Sequence, residues 1–165
     1  MDICQYLRDN GISFERYDHE PVFTCEEADR LCIPGDSAKT KNLFLRDRKG
    51  KRHILVTVGA SKSVDIRAME SLLGARGLSF ASPGRMEKFL GLTPGSVTIL
   101  GIANDPGCLV EVVVDSDLCS CPAMQCHPNT NTSTLVISLA DVMKFIRITG
   151  HDPRILPVPA CDRGA

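Results

Sequence analysis

Apolar positions recur at two different spacings along this chain, and the switches between them predict its elements. Ile3, Tyr6 and Leu7 fall at helical spacing behind Asp2, a side chain suited to an N-cap, and Asn10-Gly11 supplies the stop. The segment from Ile12 to Tyr17 alternates like a strand. After the Glu20-Pro21 break, Thr24 with Glu27 three residues on reads as a capping box, opening a second helix that ends before Pro34-Gly35. Two compact apolar runs follow, Leu43 to Leu45 and His53 to Val58. They are separated by the polar stretch RDRKGKR with its Gly50, which predicts a β-hairpin. Ser63 or Asp65 can then cap a helix carrying Ile66, Met69, Leu72 and Leu73. A shorter helix runs from Arg85 to Leu90 and stops at Gly91, with Leu78 to Ala81 as a strand between them.

The second half of the chain is richer in β-branched residues. Asn104-Asp105-Pro106-Gly107 is a strong turn signal, and the runs on either side of it, Ser96 to Ile102 and Cys108 to Val114, are expected to be core strands. Thr134 to Ile137 predicts one more strand. Ser138 with Asp141 resembles a helix start, and Leu139, Val142, Met143, Phe145 and Ile146 keep one helical face until Gly150. Arg154 to Val158 is the last strand candidate. Strands outnumber helices and the two kinds mix without strict alternation. The expected fold class is therefore α+β, a single compact domain over residues 1–160 with a mixed, mostly antiparallel sheet surrounded by helices, and a tail over 161–165.

Composition narrows the function. A chain of 165 residues favours one domain and hence one site. The net charge of −1 argues against a protein that coats nucleic acid by bulk electrostatics and gives no reason to expect DNA as a partner, so any RNA contact must be local. One window is lopsided: Lys39, Lys41, Arg46, Arg48, Lys49, Lys51 and Arg52 fall within fourteen residues whose single acid is Asp47. Taken alone, it reads as a solvated hairpin tip. No apolar run reaches the roughly 18–20 residues of a membrane span, so the expected setting is the cytoplasm, with no membrane partner. The eight cysteines are then expected to be mostly free thiols. Cys119, Cys121, Cys126 and His127 cluster within nine residues, but no second pair of ligands repeats at finger spacing; neither a metal nor another cofactor is expected. No G-x-S-x-G elbow is present, because Gly59-Ala60-Ser61 and Gly95-Ser96 lack the pattern, which argues against covalent serine catalysis.

A positive signal comes from the string Ser37-Ala38-Lys39-Thr40-Lys41-Asn42-Leu43-Phe44-Leu45-Arg46-Asp47, followed by Lys49-Gly50 and the run His53 to Val58. It resembles the opening signature of the prolyl-tRNA editing (YbaK-like) family, in the branch that acts on alanyl-tRNA(Pro). Three further blocks fall in the same order: HEPVFT, then GLTPGSVT from Gly91 to Thr98, then HPNTNTSTLVIS from His127 into a helix ending TGHDP. The resemblance implies a trans-editing aminoacyl-tRNA deacylase whose pocket receives the 3′ end and acceptor stem of mischarged tRNA(Pro), with alanine as the ester hydrolysed. Prolyl-tRNA synthetase is a candidate partner. A pocket sized for a methyl group would exclude proline by steric overlap. The alternatives are a Cys- or Ser-tRNA deacylase of the same family and a noncatalytic module that binds tRNA or the synthetase.

Ester hydrolysis requires a positioned water, support for the oxyanion and a pocket for the amino acid. In the resembling family, backbone groups and the terminal ribose hydroxyl are credited with placing the water, and a lysine is the critical side chain. Lys41 matches that lysine, to hold the RNA end as a point charge. Asn42 can offer substrate both a donor and an acceptor, and Lys39 can reach phosphate. Gly95 lies in a Pro-Gly turn that would let backbone N–H groups approach a small substrate, and Ser96, Val97 and Thr98 continue the same loop. The family carries a proline four residues after this glycine; here the position is Ile99, which puts the shape of the pocket in question. His127 matches a histidine thought to hold the terminal adenosine, with Asn129 and Asn131 in the polar loop beside it. The expected catalytic set is therefore Lys41, Asn42 and Gly95, and the expected substrate-binding set is Lys39, Ser96, Val97, Thr98, His127, Asn129 and Asn131.

Overall fold

Helix α1 (Ile3–Asp9) begins where Asp2 turns its carboxylate onto the backbone N–H of Gln5, at 3.2 Å. It buries Ile3, Cys4 and Leu7, and it ends at Asn10 before Gly11 enters the left-handed region at φ +71°. The computed structural model describes residues 1–22, 26, 27 and 30–161. The Thr24 capping box and much of the helix expected to follow it lie outside the described residues. Strand β1 (Glu15–Asp18) starts three residues later than the alternation from Ile12 suggests.

The hairpin forms as expected and is longer than its apolar runs. Strands β2 (Thr40–Arg46) and β3 (His53–Gly59) pair antiparallel, with Lys41 opposite Val58 and Asn42 opposite Thr57. At its tip, the Asp47 carboxylate accepts from the backbone N–H groups of Lys51 and Arg52, and Gly50 takes the positive φ the turn requires. Helix α2 (Ile66–Leu73) is capped by Asp65, the second of the two candidates, through Ala68 N at 3.0 Å. Strand β4 (Ser79–Phe80) and helix α3 (Pro83–Leu90, capped by Ser82) follow.

The run Ser96 to Ile102 is not a strand. Thr98 caps a 3-10 helix over Ile99–Asn104, and Ile99, Leu100, Gly101 and Ile102 are all buried. A fully buried helical turn and a core strand share the same unbroken apolarity, so periodicity could not separate them. Gly101 allows the close packing, since a Cβ there would lie 2.6 Å from Leu92 Cδ1. Strand β5 (Val110–Asp115) leads into a second 3-10 turn, Ser116–Ser120, and then into β6 (Ala123–Cys126), which the sequence reading does not contain. Strand β7 (Ser133–Ser138), helix α4 (Leu139–Ile148, capped by Ser138) and the short β8 (Arg154–Leu156) complete the order. The segment after Pro159 is tied down as far as Cys161: its N–H donates to Ser63 O at 2.7 Å, and Ala160 bridges Val64.

The strands form two sheets. One is three-stranded and antiparallel, in the order β1-β7-β6; the other is five-stranded, in the order β4-β2-β3-β5-β8. In the larger sheet β4, β2 and β3 run antiparallel, whereas β3-β5 and β5-β8 are parallel. The larger sheet is mixed, and across both sheets the pairings are mostly antiparallel, as the fold class requires. Alternation sorts its side chains onto two apolar faces. Phe44, Leu55, Val112 and Val114 join α1, α4 and the smaller sheet around Leu7, Phe145 and Leu135. Leu45, Ile54, Val56, Val58 and Val113 pack instead on Met69 and Leu73 of α2. Buried on both faces, β3 is the near-continuous apolar run of the sequence.

Candidate active site

Thr40 to Asn42 enter the large sheet where it meets the small one. Ahead of them, Ala38 is stitched to β6 by two backbone bonds of 2.9 Å, Ala38 N to Ala123 O and Gln125 N to Ala38 O. The Thr40 hydroxyl donates to Gln125 O at 2.7 Å, and Gln125 Nε2 donates to Ser37 Oγ at 3.0 Å. Strand β6 runs straight into His127, so the Lys41 segment and the His127 loop share one junction.

Asn42 ties this junction to the Gly95 loop. Its carbonyl oxygen accepts from the buried Thr57 hydroxyl at 2.6 Å, and its Nδ2 donates to Val97 O at 3.4 Å. Both ends of the amide are engaged within the protein, so Asn42 holds the loop against β2. Alternation sends Asn42 to the face of Phe44 and Lys41 to the face of Leu43 and Leu45. The two neighbours in the sequence thus leave the strand on opposite sides. The half-buried Lys41 makes no side-chain hydrogen bond or ion pair with a described residue.

The loop itself is a Thr93-Pro94-Gly95-Ser96 turn, closed by Ser96 N donating to Thr93 O at 3.1 Å, with Pro94 second and Gly95 at φ +88° third. The Ser96 hydroxyl donates to Thr93 O at 2.9 Å. Thr98 is fully buried and its oxygen accepts from Leu100 N, so this residue anchors the loop in the core. The N–H groups of Gly95 and Val97 carry no hydrogen bond to a described residue, which leaves one backbone donor on the exposed turn and a second at the half-buried residue that follows it. Ile99 is 1% exposed and occupies the first position of the 3-10 helix. At that position a proline's missing N–H would cost nothing, so isoleucine and proline suit the same backbone.

His127 is half-buried, and burial pushes its pKa below the ordinary histidine value; the nearby His19 acts in the same direction and a weak 3.5 Å bond to Ser133 O opposes it. The loop that follows is pinned to the segment after β1. His19 N donates to Thr132 O, Val22 N to Asn131 O, and Asn131 Nδ2 to Val22 O. Asn129 sits in the left-handed region at φ +62°, and its side-chain oxygen is buried with no donor among the described residues. Lys39 is half-buried on the approach to β2, its carbonyl accepting from Ala60 N.

The described residues of the four sequence blocks thus meet in space. Missing from the sequence reading are Thr57 and Gln125, which support the site without facing it. The buried alternation of Met124 and Cys126 was the signal for β6, masked by the cysteines around it. Cys126 is buried, which pushes its thiol up to about 12, and Cys119 is exposed; no group of three or more His, Cys, Asp or Glu among the described residues could hold a metal. An open depression of about 260 Å³ lies elsewhere, beside β5 and β8 between Cys108, Glu111, His151 and Arg154, and contains none of the expected residues.

Residues 19–145 match the family described as the aminoacyl-tRNA editing domain. The chain belongs to that family. Editing of this kind is hydrolysis of the ester joining an amino acid to the terminal ribose, so the protein is an enzyme of the aminoacyl-tRNA deacylase class. The editing domain is 38% identical over 140 residues to the prolyl-tRNA editing protein ProX of Acetoanaerobium sticklandii, covering 85% of each chain. It is 35% identical over 159 residues to prolyl-tRNA synthetase associated domain-containing protein 1 of Mus musculus, covering 94% of each. Its fold superposes with a TM-score of 0.72 on a solved protein provisionally assigned as a trans-editing enzyme for prolyl-tRNA synthetase, at 20% identity over 93% of this chain and 94% of that one. No helix among the described residues is long and apolar enough to cross a membrane.

Proposed function

We propose that this editing domain acts in trans on mischarged tRNA(Pro), with the alanyl ester as its substrate. The observation that carries the reading is the Asn42 tether: one amide fastens the strand bearing Lys41 to the loop bearing Gly95, beside the junction that carries His127. The names of the relatives, a prolyl-tRNA editing protein and a prolyl-tRNA synthetase associated protein, support tRNA(Pro) as the RNA and the synthetase as a partner.

In this account Lys41 holds the RNA end from the side of β2 opposite the Gly95 loop, the RNA passing the edge of the strand that β4 leaves unpaired, with Lys39 on phosphate nearby. The N–H groups of Gly95 and Val97 face the ester carbonyl and take up the charge that develops on its oxygen, a role worth several kcal/mol in hydrolases that use backbone donors. Water adds to the carbonyl carbon and gives up a proton, the bond to the ribose oxygen breaks, and that oxygen leaves as a hydroxyl on the terminal adenosine. Asn42, Ser96 and Thr98 are positioning residues, and His127, Asn129 and Asn131 flank the adenosine. Deacylation of Ala-, Cys-, Ser- and Pro-tRNA(Pro) by the purified protein tests the proposal. Rapid loss of alanine with proline spared is expected; preferential loss of cysteine or serine would move the substrate, and no turnover of any ester would refute the reading.

A further inference from the structure

The positive charge of this chain is gathered away from the proposed chemistry. Five residue steps along β2 separate Lys41 from Arg46, about 17 Å of extended strand, and the hairpin tip lies beyond. Arg48, Lys49 and Lys51 are exposed there. Two other segments bring more cations to the same place: Arg48 N donates to Arg76 O at 2.8 Å, and Arg85 donates to Gly50 O at 3.2 Å. Arg46 spends its guanidinium on the carbonyls of Asp47 and Arg48.

The acids nearby do not neutralise this surface. The Asp47 carboxylate is occupied by the backbone of the turn, and Glu111 is held by Arg52 at 2.8 Å. None of Arg46, Arg48, Lys49, Lys51, Arg76 and Arg85 forms an ion pair with a described residue. The tip sequence RDRKGKR carries no apolar side chain, and the exposed Phe80 and Leu109 beside it stand on opposite flanks with β2 and β3 between them, so they form no apolar centre. A protein partner would require an apolar centre to its interface, whereas a nucleic-acid backbone requires only charge.

We propose that the hairpin tip is a docking surface for the phosphate backbone of a base-paired RNA stem, which it holds while the unpaired 3′ end runs along β2 to Lys41. The inference rests on the substrate reading above and adds the surface that carries the duplex. Backbone contacts of this kind set position and register and read no bases.

The test is binding of an acceptor-stem minihelix and of a CCA-ending tetranucleotide to wild type, Lys49→Glu/Lys51→Glu and Lys49→Arg/Lys51→Arg, across a salt series. Both side chains are exposed, so the fold is retained. The charge-reversed protein should bind the minihelix about tenfold more weakly near 0.1 M salt, with a salt slope smaller by about 1.5, while the arginine variant matches wild type. The tetranucleotide, too short to reach the tip, should bind all three alike. Unchanged minihelix affinity and slope in the charge-reversed protein would overturn the proposal, as would an equal loss of tetranucleotide binding. If the tip governs stem binding while no aminoacyl ester is hydrolysed, the docking surface stands and the substrate reading falls. If deacylation proceeds and the tip is irrelevant to it and to binding, the reverse holds.

Discussion

Two histidines in this molecule have their pKa pushed down, and for related reasons. His53 is 3% exposed, against the rings of Phe44 and Phe89, and its Nε2 accepts from Arg85 Nη1 at 2.9 Å. Burial lowers its pKa, with the Arg85 charge adding to the effect, and burial lowers that of His127 as well. The unfolded chain therefore binds these two protons more tightly than the native state. Stability is fully present above the ordinary histidine value and is lost as pH falls from about 6.5 through the lowered native values, at up to about 1.4 kcal/mol per pH unit for each proton. Asp18 and Asp47, whose pKa values lie below the usual carboxylate value, add their own loss only at more acidic pH. Thermal melts from pH 7.5 to 5 should show a falling Tm that His53→Gln flattens; a pH-independent Tm would contradict the assignment. At this scale the sequence was legible for identity and less so for direction. Lys41 and Asn42 stand side by side in the motif, and only the register with Val58 and Thr57 shows that they face opposite ways.

At the scale of elements, the Gly95 loop depends on one tether. Asn42→Ala removes the acceptor of the buried Thr57 hydroxyl and the donor to Val97, so it should cost about 1–3 kcal/mol and loosen the loop. A lower Tm together with reduced deacylation is the expected result. Asn42→Ala with wild-type Tm and reduced activity would instead make the amide a direct substrate contact. Helices were legible where their ends are written in side chains, as at the caps Asp2, Asp65 and Ser138; the cap Ser82 was not read, and α3 begins at Pro83, ahead of the expected Arg85. Strands were legible where one face or both are apolar over several residues, as in β3 and β7. The 3-10 helix at Ile99 was not, because burial on all sides erases the period that distinguishes a helix from a strand.

For the whole molecule, stability rests on two apolar faces closed by a few buried polar ties. Asp105, 4% exposed, accepts from the N–H groups of Leu109 and Val110 and from His151 Nε2, at 2.8 to 3.1 Å, joining the end of the first 3-10 helix to the turn after α4. Asp105→Ala leaves the buried donors of Val110 and His151 unpaired and should cost about 3 kcal/mol in denaturant melts, at the end of the 3-10 helix away from the Gly95 loop and with little effect on deacylation in the folded fraction. The α+β class could be read from the sequence, and so could much of the order of elements, without β6 and with a strand expected where the first 3-10 helix stands. The division into two sheets could not, because the junction of Ala38 with β6 is made by backbone groups that no side-chain pattern reports.

The central claim is that Lys41 on β2 works with the Gly95 loop on an alanyl ester of tRNA(Pro). Its most direct test is single-turnover deacylation of Ala-tRNA(Pro) and Pro-tRNA(Pro) by wild type and by Lys41→Ala, with Tm measured on both proteins. The account predicts that wild type removes alanine and spares proline, and that Lys41→Ala retains its Tm while losing activity by about 100-fold or more, the scale of an interaction that matters chiefly in the transition state. Lys41→Ala cleaving Ala-tRNA(Pro) at the wild-type rate would contradict it.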